Sequence, residues 1–340
     1  MTQLMVDRKA FRKSVKKDAT FLGWGLFLYA VINFVVVIAA MVVEMIGRLI
    51  WEMVIHYRQF ADEATRDMAV DKALDNIMLQ IEESAISMIV SVLVGTGILF
   101  LFFFRSKIHK KLFVKKKKMT GGKFVQITFV FLGAQLVISG LFFLIEWGLN
   151  LIGLSALSNM ETATMESQSV SMFLYAGIVG PVIEEILYRG YALRYLEKYG
   201  KVLTITVSSL LFGFMHCNLP QDIGAVLVGV VLGYVAVEYS IGWSILLHII
   251  NNMVLGDLLS YAISGLEEQT QTIITYAIMI VLFIGGLVVL IYHRKTLIGY
   301  IKQNKPEKSV FLWVMTSVGM LVFFVSHIIM AFSLLEPFSG

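Results

Sequence analysis

Cysteine is nearly missing from this 340-residue chain. Cys217 stands alone, so no intrachain disulfide can form, and cysteine usage says nothing of redox compartment. Proline occurs four times and charged residues make up 15%, a composition that excludes a disordered polymer. The net charge is only +4, which points to no nucleic-acid partner. What is abundant is apolar surface: 58% of residues are hydrophobic and 24 are Phe. A soluble domain holds roughly half apolar residues. An all-α fold is expected, a polytopic transmembrane helical bundle of about eight or nine spans built as one unit.

Residues 1–20 form a basic tail with Arg8, Lys9, Arg12, Lys13, Lys16 and Lys17. The apolar run 21–43 that follows is long, ends in Glu44 and has no A-x-A cleavage site, so it reads as a retained first span. Residues 46–83 are acidic (Asp62, Glu63, Asp67, Asp71, Asp75, Glu82, Glu83), with Ala69, Ala73, Ile77 and Ile81 spaced by four, and predict an exposed helical excursion. Residues 84–104 give a second span. Residues 105–123 carry nine basic residues. Such a run binds anionic membrane lipid in some settings, but its plainer reading is a topology signal. A third span covers 124–147 and a polar loop with Glu161 and Glu166 follows, which completes an N-terminal region at 21–170.

Residues 171–260 hold spans four to seven: 171–199, 204–217, 223–237 and 243–259. The sixth carries Gly224, Gly229 and Gly233, spaced for close helix approach. Residues 261–340 hold spans eight (272–293) and nine (310–334). With a cytoplasmic amino terminus, 24 of the 28 basic residues fall on the inner side and Arg48, Arg58, Arg66 and Lys72 on the outer, the asymmetry of an inserted membrane protein.

Charge inside an apolar run is what needs explaining, since each such residue is disfavoured by ~2.5–3.5 kcal/mol or more at the bilayer centre. Span four contains Glu184, Glu185 and Arg189. Glu185 and Arg189 lie four apart, the favoured orientation for a helical ion pair. Glu184 points about 100° away from Glu185 and is left freer to titrate, as a base must be. Span five ends in Phe212-Gly-Phe-Met-His216. Span seven carries His248 and Asn252, also four apart, while Asn251 points about 100° from Asn252. Each feature has a bland reading, as a structural ion cluster or a polar tie between helices. Together they bring two carboxylates, an arginine, two histidines and an asparagine into three spans that hold few other polar groups. Amide hydrolysis needs a base for water and donors for the developing oxyanion, and this set supplies both. Cys217 adjoins His216 in sequence but points away on a helix, and no serine elbow is present.

The order E-E-x-x-x-R, F-x-x-x-H, H-x-x-x-N over residues 171–260 resembles the CAAX protease and bacteriocin-processing (Abi) family of intramembrane endopeptidases. The resemblance implies hydrolysis of a peptide bond in a membrane-associated peptide or protein: a prenylated CAAX tail in the eukaryotic branch, peptide pheromones or bacteriocin-type precursors in bacterial relatives, with self-immunity for some. It implies that Glu184 activates water with His216, that His248 and Asn252 stabilise the oxyanion, and that Glu185 and Arg189 position the site. Family members have been read both as metalloproteases and as metal-free glutamate enzymes. The H-E-x-x-H zinc helix is lacking, and the metal-free form is favoured here, with no cofactor required. A divalent metal such as zinc on Glu184, His216 and His248 is the competing form. A bacterial plasma membrane and a cavity open to the cytoplasm are expected. Two other classes stay open: a proton- or ion-coupled transporter, which would show an internal repeat, and a non-catalytic immunity or scaffold protein of the same fold.

Overall fold

The computed structural model describes residues 2–56, 66–158, 167 and 169–338. Arg58, Asp62, Glu63, Glu161 and Glu166 lie outside them. Apolar helices dominate, as they must where the backbone finds no water. In chain order they are α1 (Thr2–Ile55), α2 (Arg66–Glu82), α3 (Ile86–Phe103), α4 (Gly121–Asn150), α5 (Val170–Tyr199), α6 (Lys201–Phe214), α7 (Leu219–Glu238), α8 (Ile241–Ile263), α9 (Glu268–Asn304), α10 (Lys308–Met315) and α11 (Val318–Ser333). Among the described residues seven are long and apolar enough to cross a membrane. α10 and α11, bent by 65°, form an eighth. α6 has only 14 residues and is too short to count among them.

Several boundaries differ from the sequence reading. The basic tail is not a separate segment: α1 runs unbroken for 54 residues. No proline interrupts it, and Val15, Ala19, Leu22 and Leu26 recur at helical spacing and are buried. Residues 46–55, expected in the acidic excursion, continue the same helix. The excursion itself is α2, whose Ala73, Ile77 and Ile81 are buried where it packs back on α1, tied by Arg48 Nη1 donating to Gln80 at 2.5 Å.

The two ends of the bundle are told apart by their ties. At the basic end Asp18 accepts from Tyr199 at 2.5 Å and pairs with Lys198 at 2.6 Å. Lys116 pairs with Glu197, and buried Glu238 collects Lys117, Lys201 (2.7 Å) and the Tyr300 hydroxyl (2.9 Å). At the opposite end Ser169 Oγ donates to the Glu83 carbonyl at 2.6 Å. There β1 (Leu154–Ser155) also pairs antiparallel with β2 (Glu336–Pro337). Successive connections thus alternate between the ends, the alternation the distribution of basic residues implies.

Close approach of helices relies on small residues, as membranes demand. A Cβ added at Gly23 would lie 2.2 Å from the Gly319 carbonyl carbon, so α1 and α11 touch backbone to backbone. The three α7 glycines do not face one neighbour. Gly224 meets Ile138 of α4, Gly233 meets Ile205 of α6, and Gly229 makes room for the Arg189 guanidinium. α6 returns into α7 through a tight turn in which Cys217 has φ 52°, the left-handed region that favours glycine.

Two stability predictions follow from these ties. Cys217→Gly removes the left-handed penalty and raises thermal stability in detergent by roughly 0.5–1 kcal/mol. Glu238→Gln unties four segments and lowers stability by about 1–3 kcal/mol, most of it through Lys201 and Tyr300, because water screens the exposed Lys117. The hydrogen bond to Glu238 lifts the Lys117 ammonium above its ordinary value. Its share is therefore present below the usual lysine value and fades as pH rises through the lifted one. Melting curves of both proteins between pH 7 and 11 should show the difference narrowing only at the alkaline end.

Candidate active site

α5 carries the site because it is not a regular helix. Wide i→i+5 turns at Tyr175–Val179 and Ile186–Ala192 bracket the regular stretch Gly180–Glu185. Pro181, in the first turn of that stretch, has no N–H to donate, and the wide turn upstream takes up the mismatch. α8 makes the same change after Ile249, with wide turns over Ile250–Leu258. Such turns frequently accompany functional sites in membrane and soluble helices alike.

Glu185 and Arg189 lie at the centre and neither side chain is exposed at all. Arg189 Nη1 sits 3.1 Å from Glu185 Oε1, the pairing that their four-residue spacing implies. Arg189 Nη2 donates to the Gly229 carbonyl at 3.3 Å, and the guanidinium lies 4.1 Å from the Phe212 ring centre. The other Glu185 oxygen, Oε2, accepts from the Ser244 hydroxyl. Oε1 also faces His248 Nδ1 at 3.2 Å. Because an ionised carboxylate only accepts, Nδ1 carries the hydrogen, and Nε2 is turned toward Glu184 Oε2, 3.7 Å away. Glu184 keeps 21% of its side chain exposed, while His248 keeps 8%. One imidazole therefore bridges both carboxylates, and Glu184 is the one with access to incoming molecules.

His216 sits in the α6–α7 turn with Nδ1 on the Gly213 carbonyl at 3.0 Å, not on a carboxylate. Its ring meets the edge of Phe212 at 5.2 Å, and His248 meets the same ring at 5.6 Å. The two histidines are thus level with each other across one aromatic side chain. Counted from Gly200 in the α5–α6 connection, Glu184 and His216 each stand 16 residues away, so both lie at similar depth from the basic end. Asn252 Nδ2 donates to the Ala176 carbonyl in the first wide turn of α5, at 3.0 Å. Asn251, expected to point away, donates to Asn252 Oδ1 at 3.1 Å and accepts from Gln135 at 2.7 Å. The two asparagines thus reach different helices, Asn251 toward α4 and Asn252 toward α5, while touching each other.

Ser244 was not singled out from sequence, although it lies four residues before His248 and so shares its face. Gly229 was read only as a packing glycine, and its carbonyl oxygen is an Arg189 acceptor. A cavity of about 360 Å³ between α4, α6, α7 and α9 and an open depression of about 700 Å³ at the basic end both lie elsewhere; neither is lined by Glu184, His216 or His248. For a metal, the set Glu184, His216 and His248 does not fit this arrangement. Among the described residues no three His, Cys, Asp or Glu side chains stand placed to hold one ion.

Residues 166–254 match the family described as Rce1-like, type II CAAX prenyl endopeptidase Rce1-like. The match spans all six site residues and every contact between them, and leaves out α1 to α4 and α9 to α11. No curated protein and no solved structure matches the chain. The buried charged centre on irregular helices lies wholly within the matched segment, and over that segment this integral membrane protein is similar to the CAAX prenyl endopeptidase family.

Proposed function

We propose that the protein is an intramembrane endopeptidase that hydrolyses a peptide bond of a membrane-associated peptide or protein, from a site facing the cytoplasmic side. The observation that carries this reading is the placement of Glu184 and His248 Nε2, 3.7 Å apart and flanked by the buried Glu185–Arg189 pair. A gap of that width lets both groups contact one water.

Glu184 takes a proton from that water, and the hydroxide attacks the scissile carbonyl carbon. The negative charge passes to the carbonyl oxygen. His248, held by Glu185 through Nδ1, supplies a donor to that oxygen from Nε2 when doubly protonated. In that form Glu184, Glu185, Arg189 and His248 sum to zero net charge, the least costly state in a low dielectric. His216 and Asn252 are the further donors within the same three helices. The tetrahedral centre collapses as the C–N bond breaks, and Glu184 returns its proton to the departing nitrogen. A carboxylic acid and an amine leave, together the peptide plus one water, so atoms and protons balance. Glu185, Arg189 and Ser244 do not touch substrate in this scheme; they fix the imidazole.

A fluorogenic peptide ending in a farnesylated CAAX sequence, offered to the protein in lipid nanodiscs, tests the reading. Glu184→Gln should lower kcat by roughly 10²–10⁴-fold with insertion unchanged, and Ser244→Ala by about three- to tenfold through the loosened Glu185. Comparative peptidomics of membranes from cells carrying wild type or Glu184→Gln extends the test to unprenylated substrates. Equal cleavage products in both strains and a probe left intact would end the proteolytic reading. Proton flux in liposomes that Glu184→Gln abolishes would put a transporter in its place. Metal content of the purified active protein decides whether an ion takes part.

A further inference from the structure

The open depression at the basic end has a lining of its own. Lys13, Lys16, Lys17 and Thr20 line it from α1, and Thr316, Ser317 and Val318 from the break between α10 and α11. The rings of Phe21 and Trp24 on α1 and Phe102 on α3 complete it. None of these residues belongs to the basic run 105–123 or to the matched segment.

Charge is the first clue to its chemistry. Residues three and four apart share a helix face, so Lys13 stands beside both Lys16 and Lys17. Elsewhere at this end Arg8 pairs with Glu307, and Lys198 with Asp18. Among the described residues no carboxylate pairs with Lys13, Lys16 or Lys17. Three ammonium groups gathered in one hollow repel each other until an anion joins them. The break adds to this field. α11 starts at Val318 on the rim, and no side chain caps it, because the Ser317 hydroxyl donates to the Val314 carbonyl at 2.7 Å. The first N–H groups of a helix have no partner within it, and that end carries partial positive charge.

The apolar part of the lining says which anion. Phe21 and Phe102 stack with ring centres 4.6 Å apart and planes within 17° of parallel. Gly25 permits this approach of α1 to α3, since a Cβ there would fall 2.8 Å from the Phe102 ring. Trp24 and Val318 remain 41% and 59% exposed beside the lysines. A soluble anion would gain nothing from such a floor. A phospholipid carries a phosphate and acyl chains next to each other, as the hollow carries ammonium groups and rings.

We propose that this depression binds an anionic phospholipid from the leaflet at the basic end. Its phosphate sits among Lys13, Lys16 and Lys17, and its acyl chains start over Trp24 and the stacked phenylalanines. The lipid then bridges α1, α3 and the α10–α11 break, and its binding stabilises the folded bundle. A general attraction between lysine-rich segments and anionic membrane would not depend on which lysines are present; a site does.

The test follows thermal unfolding of the full-length protein in neutral detergent with added phosphatidylglycerol, phosphatidylcholine or inorganic phosphate. Two variants each remove three charges from the same end. One is Lys13→Gln, Lys16→Gln and Lys17→Gln; the other is Lys110→Gln, Lys111→Gln and Lys118→Gln, outside the depression. Phosphatidylglycerol should raise the wild-type melting temperature by several degrees, with little change from the other two additives. The first variant should bind it roughly tenfold to 100-fold more weakly and lose the rise, while the second keeps it. Arginine at positions 13, 16 and 17 should keep the rise as well, which separates lost charge from a damaged fold. No rise in the wild type, an equal rise with phosphatidylcholine, or a rise retained by the first variant overturns the site. An equal loss in both glutamine variants reduces it to general attraction and also overturns it. An equal rise with inorganic phosphate overturns the lipid in favour of a soluble anion.

Discussion

The structure depends on a fully buried ion pair. Glu185 and Arg189 place opposite charges 3.1 Å apart with neither exposed. Removing two charges from water is opposed by several kcal/mol per ion, and their mutual attraction offsets this only if the surrounding hydrogen bonds are also made. The groups around the pair come from four helices: Arg189 and Glu185 themselves from α5, the Phe212 ring from α6, the Gly229 carbonyl from α7, and Ser244 and His248 from α8, while Arg189 Nε makes no hydrogen bond among the described residues. The pair therefore dictates where these helices cross. It also fixes the tautomer and plane of the imidazole that reaches Glu184.

The irregular backbone serves the same end. A regular helix shows each neighbouring helix a fixed stripe. The wide turns on both sides of Gly180–Glu185, and the one that begins at Ile250, change the angle between residues that a regular repeat would hold apart. They also free carbonyl groups, and the Ala176 carbonyl is taken up by Asn252. Polar side chains and backbone irregularity thus satisfy one another, the condition under which non-ideal backbone survives at membrane depth.

Much of this was legible in the sequence where one helix sufficed to carry the information. The Glu185–Arg189 pairing follows from a spacing of four. The alternation of chain connections follows from where lysine and arginine fall, and the all-α bundle from the length of the apolar runs. What was not legible involves partners on other helices or a departure from 3.6 residues per turn. Ser244 looks like any small residue in a span until Glu185 is placed beside it. Glu238 looks like the charged end of α7 until Lys117, Lys201 and Tyr300 converge on it. Asn251 looks idle beside Asn252 until Gln135 of α4 is placed against it. The basic tail was separated from the first span by its charge, although Val15 and Ala19 bury it in the same helix. The break between α10 and α11 has no proline to announce it.

The brevity of α6 changes the medium in which the charged centre operates. Fourteen residues rise about 21 Å, whereas a hydrocarbon slab is ~30 Å thick. The tip of the α6–α7 hairpin, with His216 on it, consequently stops inside the slab and leaves a polar turn where acyl chains would otherwise lie. Lipid next to such a turn thins or admits solvent at modest expense. The bundle in effect brings the polar boundary inward toward its own interior.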